Sequence, residues 1–214
     1  MNNTINGTMS RNLMQSSRQT GLLLLTLLLP IFNNALASEK HPLDNYFEKY
    51  AERYFGKTLD WRLFKAQGFV ESRLNHKARS RRGARGVMQL MPATFREIQK
   101  KNGEFKRKKS TSPEVSIGAG ICFDAYLFNR WDREVTPEKR IKLMLASYNG
   151  GYARVLRAFN KAGQPENDWE AVAHYLPRET RNYVDRVLRR YHAEKARKAT
   201  PATLPPRPLL AEND

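Results

Sequence analysis

The sequence predicts a mainly α-helical, single globular domain with at most one very small β element. Three observations carry this. Apolar residues recur at steps of three and four through most of the chain from His41 to Tyr191. Gly, Pro and Ser/Thr/Asp residues fall where those periodic runs start and stop. No long strand pattern and no internal repeat interrupts them, and 214 residues suit one domain with tails.

The elements follow in order. His41 to Gly56 reads as a helix, with Tyr46, Phe47, Tyr50, Ala51 and Tyr54 at helical spacing and Gly56 as the stop. Thr58 or Asp60 caps the next helix, Trp61 to about Arg73. Trp61, Phe64, Gly68 and Glu71 share one face of it, widened by Leu63, Ala66 and Val70. Residues 75–86 are a polar, Arg-rich loop, and Gly86 to Leu90 is the place for the small β element. Pro92 starts a helix to about Lys101, and Lys100 to Lys109 is a basic loop. Ser112-Pro113-Glu114 opens a helix to Trp131, and Thr136-Pro137-Glu138 opens one that Asn149-Gly150-Gly151 stops. Short helices cover Tyr152 to Phe159 and Trp169 to His174, the second capped by Asp168. A last long helix runs from Arg178 to about Lys195. From Ala196 to the end, Pro and Ala dominate and a disordered tail is expected.

Charge and the N-terminus narrow the function. A formal charge of +17 points to a polyanionic partner: nucleic acid, anionic lipid or an acidic polymer. Residues 1–37 hold Arg11 and Arg18, then the apolar run Gly21 to Phe32, then Ala35-Leu36-Ala37. That is the order of a signal peptide, with cleavage expected after Ala37. The run is short for a membrane span and Pro30 breaks it. Export disfavours nucleic acid and leaves membrane surface or cell-wall polymer. The expected domains are a signal peptide at 1–37, a folded domain at 38–195 and a tail at 196–214.

Most catalytic classes lack their residues. His41, His76, His174 and His192 are far apart without paired spacing, and no acidic calcium loop occurs, so no metal site is expected. The single Cys122 excludes an internal disulfide. No nucleophile elbow, P-loop or dinucleotide fingerprint is present, so no cofactor is expected. Carboxyl chemistry remains. Glu71 lies late in its helix, where the macrodipole disfavours negative charge, and on an apolar stripe. Both effects raise its pKa, as a general acid requires. The alternative is a solvated carboxylate paired with Arg73 or Lys65, and residue physics alone leaves both open. Glu97, Glu114, Asp124 and Asp185 fit helix surfaces or first turns.

Three blocks now stand in order. Glu71-Ser72 is followed by Ser80 and Gly83-Ala84-Arg85-Gly86-Val87-Met88-Gln89-Leu90-Met91-Pro92-Ala93-Thr94. Then come Ala146-Ser147-Tyr148-Asn149-Gly150-Gly151 and Glu179-Thr180-Arg181-Asn182-Tyr183-Val184. Over roughly residues 45–192 the chain resembles the catalytic domain of soluble-type (SLT) lytic transglycosylases, which is lysozyme-like and related to goose-type lysozyme. Tyr-Phe-Gly near residue 55 and Asp-Trp-Arg-Leu from Asp60 are similar to members with an extra solute-binding domain; a stand-alone catalytic module is expected here. Arg81 and Ser147 depart from the Pro and Ala common in the family.

The resemblance implies cleavage of the β-1,4 bond between N-acetylmuramic acid and N-acetylglucosamine in peptidoglycan, with 1,6-anhydro ends. One carboxyl, Glu71, acts as acid and then as base, with Ser72, Ser80, Met88, Gln89, Met91, Tyr148, Asn149 and Tyr183 as substrate-binding residues. Arg79, Arg81, Arg82 and Arg85 become candidates for attracting peptide-stem carboxylates. The expected setting is the periplasm or cell envelope, as a monomer on peptidoglycan strands in peripheral contact with the envelope. The competing readings are a hydrolytic muramidase of the same fold and a non-catalytic wall-binding or assembly protein.

Overall fold

A computed structural model describes residues 40–132 and 135–199. The expected signal segment and most of the expected tail lie outside the described residues. Eight α-helices stand among the described residues: α1 (Asp44–Phe55), α2 (Trp61–Ser72), α3 (Pro92–Lys101), α4 (Pro113–Arg130), α5 (Pro137–Gly150), α6 (Tyr152–Lys161), α7 (Trp169–His174) and α8 (Arg178–Ala199). The caps are those the sequence offers. Asp60 accepts from the Arg62 amide, Thr136 from Lys139 and Asp168 from Ala171, while Gly56 ends α1 at φ 56°.

Helix α4 is the central rod. Val115 to Ile121 are buried without a break, and α1, α3 and α5 pack around it. Close approach depends on two of its glycines. A Cβ on Gly118 would strike the Tyr50 ring at 2.6 Å, and one on Gly120 would strike Met88 at 2.6 Å. Helices α2 and α8 pack together on the other side, and α8 also packs on α5. Lys65 of α2 bridges Asp44 of α1 at 2.8 Å and Glu194 of α8 at 3.4 Å, pinning three helices. Ser147, the departure from Ala, is buried and accepts from the Trp131 indole at 2.9 Å.

The very small β element is two isolated antiparallel bridges, Arg79 with Arg85 and Arg85 with Leu90. Two expectations are corrected. The basic loop holds a 3-10 turn, Gly103–Phe105, since the fully buried Phe105 anchors it. Helix α8 runs through Ala199, past the expected stop at Lys195: Ala, Arg and Lys are strong helix formers, and the first proline is Pro201.

Candidate active site

The site forms where α2 ends. Glu71 sits in the last turn of α2, and the chain then reverses through Arg73 and Leu74, both left-handed at φ 56° and 63°. The reversal sends the loop of residues 75–91 back across the end of α2. Ser72 holds that loop: its hydroxyl donates to the Val87 carbonyl at 2.8 Å. Gly86 lies against Ser110 and Ser116, and Ser116 Oγ accepts from the Met88 amide at 3.1 Å. Tyr148 of α5 donates its hydroxyl to the Met88 carbonyl at 2.7 Å. The loop is thereby fastened to α2, α4 and α5 around Glu71.

Tyr183 of α8, 2% exposed, donates its hydroxyl to Glu71 Oε1 at 2.7 Å. Burial pushes the Glu71 carboxyl up from 4.5 to about 7, while the Tyr183 hydrogen bond and the Arg186 charge pull the other way. Desolvation wins because a single neutral donor and one more distant cation do not replace a full hydration shell. Tyr183 and Tyr148 are themselves raised well above the ordinary tyrosine value, Tyr183 by burial and then the Glu71 carboxyl, Tyr148 by burial and then the carboxyls of Asp124 and Glu71. Both remain neutral donors at neutral pH. The carboxyl has access to both protonation states there.

The other expected residues divide. Met91 is 42% exposed at the N-cap of α3. Asn149 is half-buried at the end of α5. Gln89 is half-buried at φ 45°, and its amide donates to the Gly86 and Ala78 carbonyls at 2.8 and 3.2 Å, bracing the loop. Ser80 closes the loop's tip, accepting from the Ala84 amide at 3.0 Å. Met88 is corrected: its side chain is fully buried between Gly68 and Gly120, so it fills the core and offers only its carbonyl, to Tyr148. Arg79, Arg81, Arg82 and Arg85 are all exposed.

Asp124 is the second correction. It does not lie on a helix surface but is fully buried, and its electrostatic neighbours are Gln67 and Glu71. Gln67, also fully buried, precedes Glu71 by one turn on the same face of α2. The signal was present in the sequence: an Asp inside the apolar run Ile117 to Phe128 and a Gln on the Glu71 stripe. Phe123, whose ring lies 5.4 Å from that of Tyr148, also lines a separate groove of about 590 Å³ between α3 and α4, with Thr94, Glu97, Lys101 and Tyr126.

The chain is similar in sequence and fold to known lytic transglycosylases. Membrane-bound lytic murein transglycosylase F of Alteromonas mediterranea is 34% identical over 151 residues, covering 68% of this chain and 30% of that protein. Membrane-bound lytic murein transglycosylase F 1 of Alkalilimnicola ehrlichii is 30% identical over 149 residues, covering 68% and 28%. The chain thus spans less than a third of the length of these relatives. Among solved structures, the 70 kDa soluble lytic transglycosylase of Escherichia coli superposes with a TM-score of 0.60 at 25% identity, covering 74% of this chain and 25% of that one. The 70-kDa soluble lytic transglycosylase in complex with bulgecin A gives 0.62 at 26% identity, with the same coverage. These neighbours share the lysozyme-like helical fold expected from the motifs. Residues 45–170 match the model of the Transglycosylase SLT domain, and the chain belongs to that family.

Proposed function

We propose that the chain is a peptidoglycan lytic transglycosylase in which Glu71 is the single acid and base. The observation that carries this reading is the half-buried carboxyl held by the Tyr183 hydroxyl at 2.7 Å and pushed up to about 7. Protonated Glu71 gives its proton to the glycosidic oxygen as the bond from C1 of N-acetylmuramic acid breaks. The carboxylate then takes the proton of the muramyl 6-hydroxyl while that oxygen bonds to C1. Acid and base work cancel, so Glu71 ends the cycle as it began. A carboxyl near pH 7 suits both halves, because neither protonation state is far from populated. Two-carboxylate hydrolysis needs a second carboxylate at the sugar. The other carboxyl near Glu71 belongs to Asp124, which has no exposed surface.

The substrate reading follows from the same site. The groove between α3 and α4 and the exposed Met91 offer apolar walls to sugar rings, and the Arg79 to Arg85 loop offers charge to acidic peptide stems. Export to the periplasm or envelope, with cleavage after Ala37, belongs to this reading, and N-terminal sequencing of the exported protein tests it. No helix among the described residues is long and apolar enough to cross a membrane.

Purified sacculi digested by the wild type and by Glu71→Gln, with products resolved by mass spectrometry, test the function. Anhydro-muramyl ends from the wild type alone are expected. Reducing ends would make the chain a hydrolytic muramidase, and equal behaviour of the two proteins would make it a non-catalytic wall-binding protein.

A further inference from the structure

Gln67 and Asp124 meet in the buried interior one turn behind Glu71. Gln67 Nε2 donates to Asp124 Oδ1 at 3.2 Å, and neither residue has exposed surface. The other atom of each planar group, Gln67 Oε1 and Asp124 Oδ2, is buried with no hydrogen-bond partner among the described residues. Buried polar atoms are nearly always paired, and two left over on neighbouring residues call for one cause. Both are oxygens, so neither can donate to the other while Asp124 is ionised. Flipping the Gln67 amide only exchanges which oxygen is left without a donor. A hydrogen on Asp124 Oδ2 removes the conflict. It can donate to Gln67 Oε1 while Gln67 Nε2 donates to Oδ1, the two-bond ring of a carboxylic acid with a primary amide.

We propose that Asp124 carries its proton at neutral pH, closes this ring with Gln67, and thereby positions Glu71 while keeping a second negative charge out of its pocket.

The surroundings favour the neutral acid. The groups facing Asp124 are Gln67 and Glu71 on α2, Tyr148 on α5 and Tyr183 on α8. None is a cation. Burial raises the Asp124 carboxyl well above the ordinary aspartate value, the Gln67 bond lowers it in part, and the Glu71 charge raises it further. Two carboxyls in one apolar space therefore carry at most one negative charge between them, and that charge arises when Glu71 ionises. Glu71 must become an anion midway through the cycle, and a charged Asp124 would oppose that step. Asp124 is a positioning residue: it has no exposed surface and acts through Gln67 and the α2 backbone. This role toward Glu71 rests on the function proposed above; the protonation of Asp124 does not.

Infrared spectroscopy reads the proton directly. In a Glu71→Gln background at pH 7, the difference spectrum between Asp124 and Asp124→Asn should contain the carbonyl stretch of a protonated carboxylic acid. Adding Gln67→Leu should move that band toward the frequency of an unbonded acid. Denaturation midpoints give a second measure. In the same background the Asp124 protein should lose stability relative to Asp124→Asn as pH rises from about 5 to about 8, because the folded state holds a proton that the unfolded chain releases. An absent acid band, or parallel stability profiles, overturns the protonation. A band unmoved by Gln67→Leu overturns the ring. Should Asp124→Asn fail to fold, ¹³C-labelled aspartate in the parent protein reports the same protonation from its carboxyl shift. With Glu71 present, Asp124→Leu should lower kcat on sacculi about tenfold or more by misplacing the acid, and Asp124→Asn should recover most of it. Equal kcat in Asp124→Leu and the wild type, or an inactive wild type, overturns the role toward Glu71. An active enzyme without the acid band overturns the proton and leaves the function standing.

Discussion

Tyr183→Phe isolates one hydrogen bond on the proposed catalytic carboxyl. Tyr183 is buried and its hydroxyl donates to Glu71 Oε1 at 2.7 Å, so removing the oxygen deletes the donor and keeps the packing ring. A hydrogen bond to a charged acceptor contributes about 1.5–3 kcal/mol, and one to a neutral acceptor about 0.5–1.5 kcal/mol. The ionised form of Glu71 therefore loses about 1–1.5 kcal/mol more than the protonated form. At 1.36 kcal/mol per pKa unit, that raises the carboxyl by about one unit. Starting from about 7, it should reach roughly 8. The acid half of the reaction needs protonated Glu71, so activity falls as pH rises through this value. The assay is the pH dependence of kcat/KM for release of soluble fragments from sacculi, which reports the free enzyme. The falling limb should shift about one unit toward alkaline pH in Tyr183→Phe, at a lower maximal rate. A limb that stays in place, or that moves toward acid, would refute the claim that Tyr183 stabilises the carboxylate.

Other perturbations follow from the same geometry. Burial raises Glu71 above its unfolded value, so wild-type stability is lost as pH climbs from about 4.5 to about 7. Glu71→Gln should accordingly be more stable than wild type by roughly 3 kcal/mol above pH 7 and no more stable at pH 4, as read by urea midpoints. Gly86→Ala should cost about 2–6 kcal/mol or prevent folding, since it forces φ 78° on an L-residue and drives a Cβ to 2.5 Å from Ser116 Oγ and onto the Ser110 carbonyl; circular dichroism melts check it. Replacing Arg81 and Arg82 together with Ala should weaken the salt dependence of KM on sacculi while leaving kcat alone, because exposed charges steer acidic substrate and are screened by salt.

The helices were legible because each carries its own instructions. Asp60, Thr136 and Asp168 cap where their side chains reach the next backbone amides, and Gly56 ends α1 where only a left-handed turn will do. Glu71 was legible as a carboxyl on an apolar stripe at the unfavourable end of a helix. The burial of Met88 was not, because a Met in a short apolar run fits a cleft or a core equally well. Its side chain faces inward because Gly68 and Gly120, on two different helices, leave it the space. Asp124 was misjudged for a related reason. Its spacing from Ile117, Ile121 and Phe128 puts it on the buried stripe of α4, but an acid stays inside only where another helix brings it a partner. That partner, Gln67, is 57 residues away in sequence.

The sequence by itself determined the helical order, the caps, the basic surface and the identity of the carboxyl at the end of α2. These depend on neighbours within one or two turns, which the linear order already specifies. Tertiary structure decided what Glu71 meets. The Tyr183 hydroxyl arrives from 112 residues away, the loop of residues 75–91 is tied down by Ser72, Ser116 and Tyr148, and Asp124 and Gln67 pair behind it. A carboxyl's working pKa is set by desolvation and by the donors around it, and both exist only once the helices have packed.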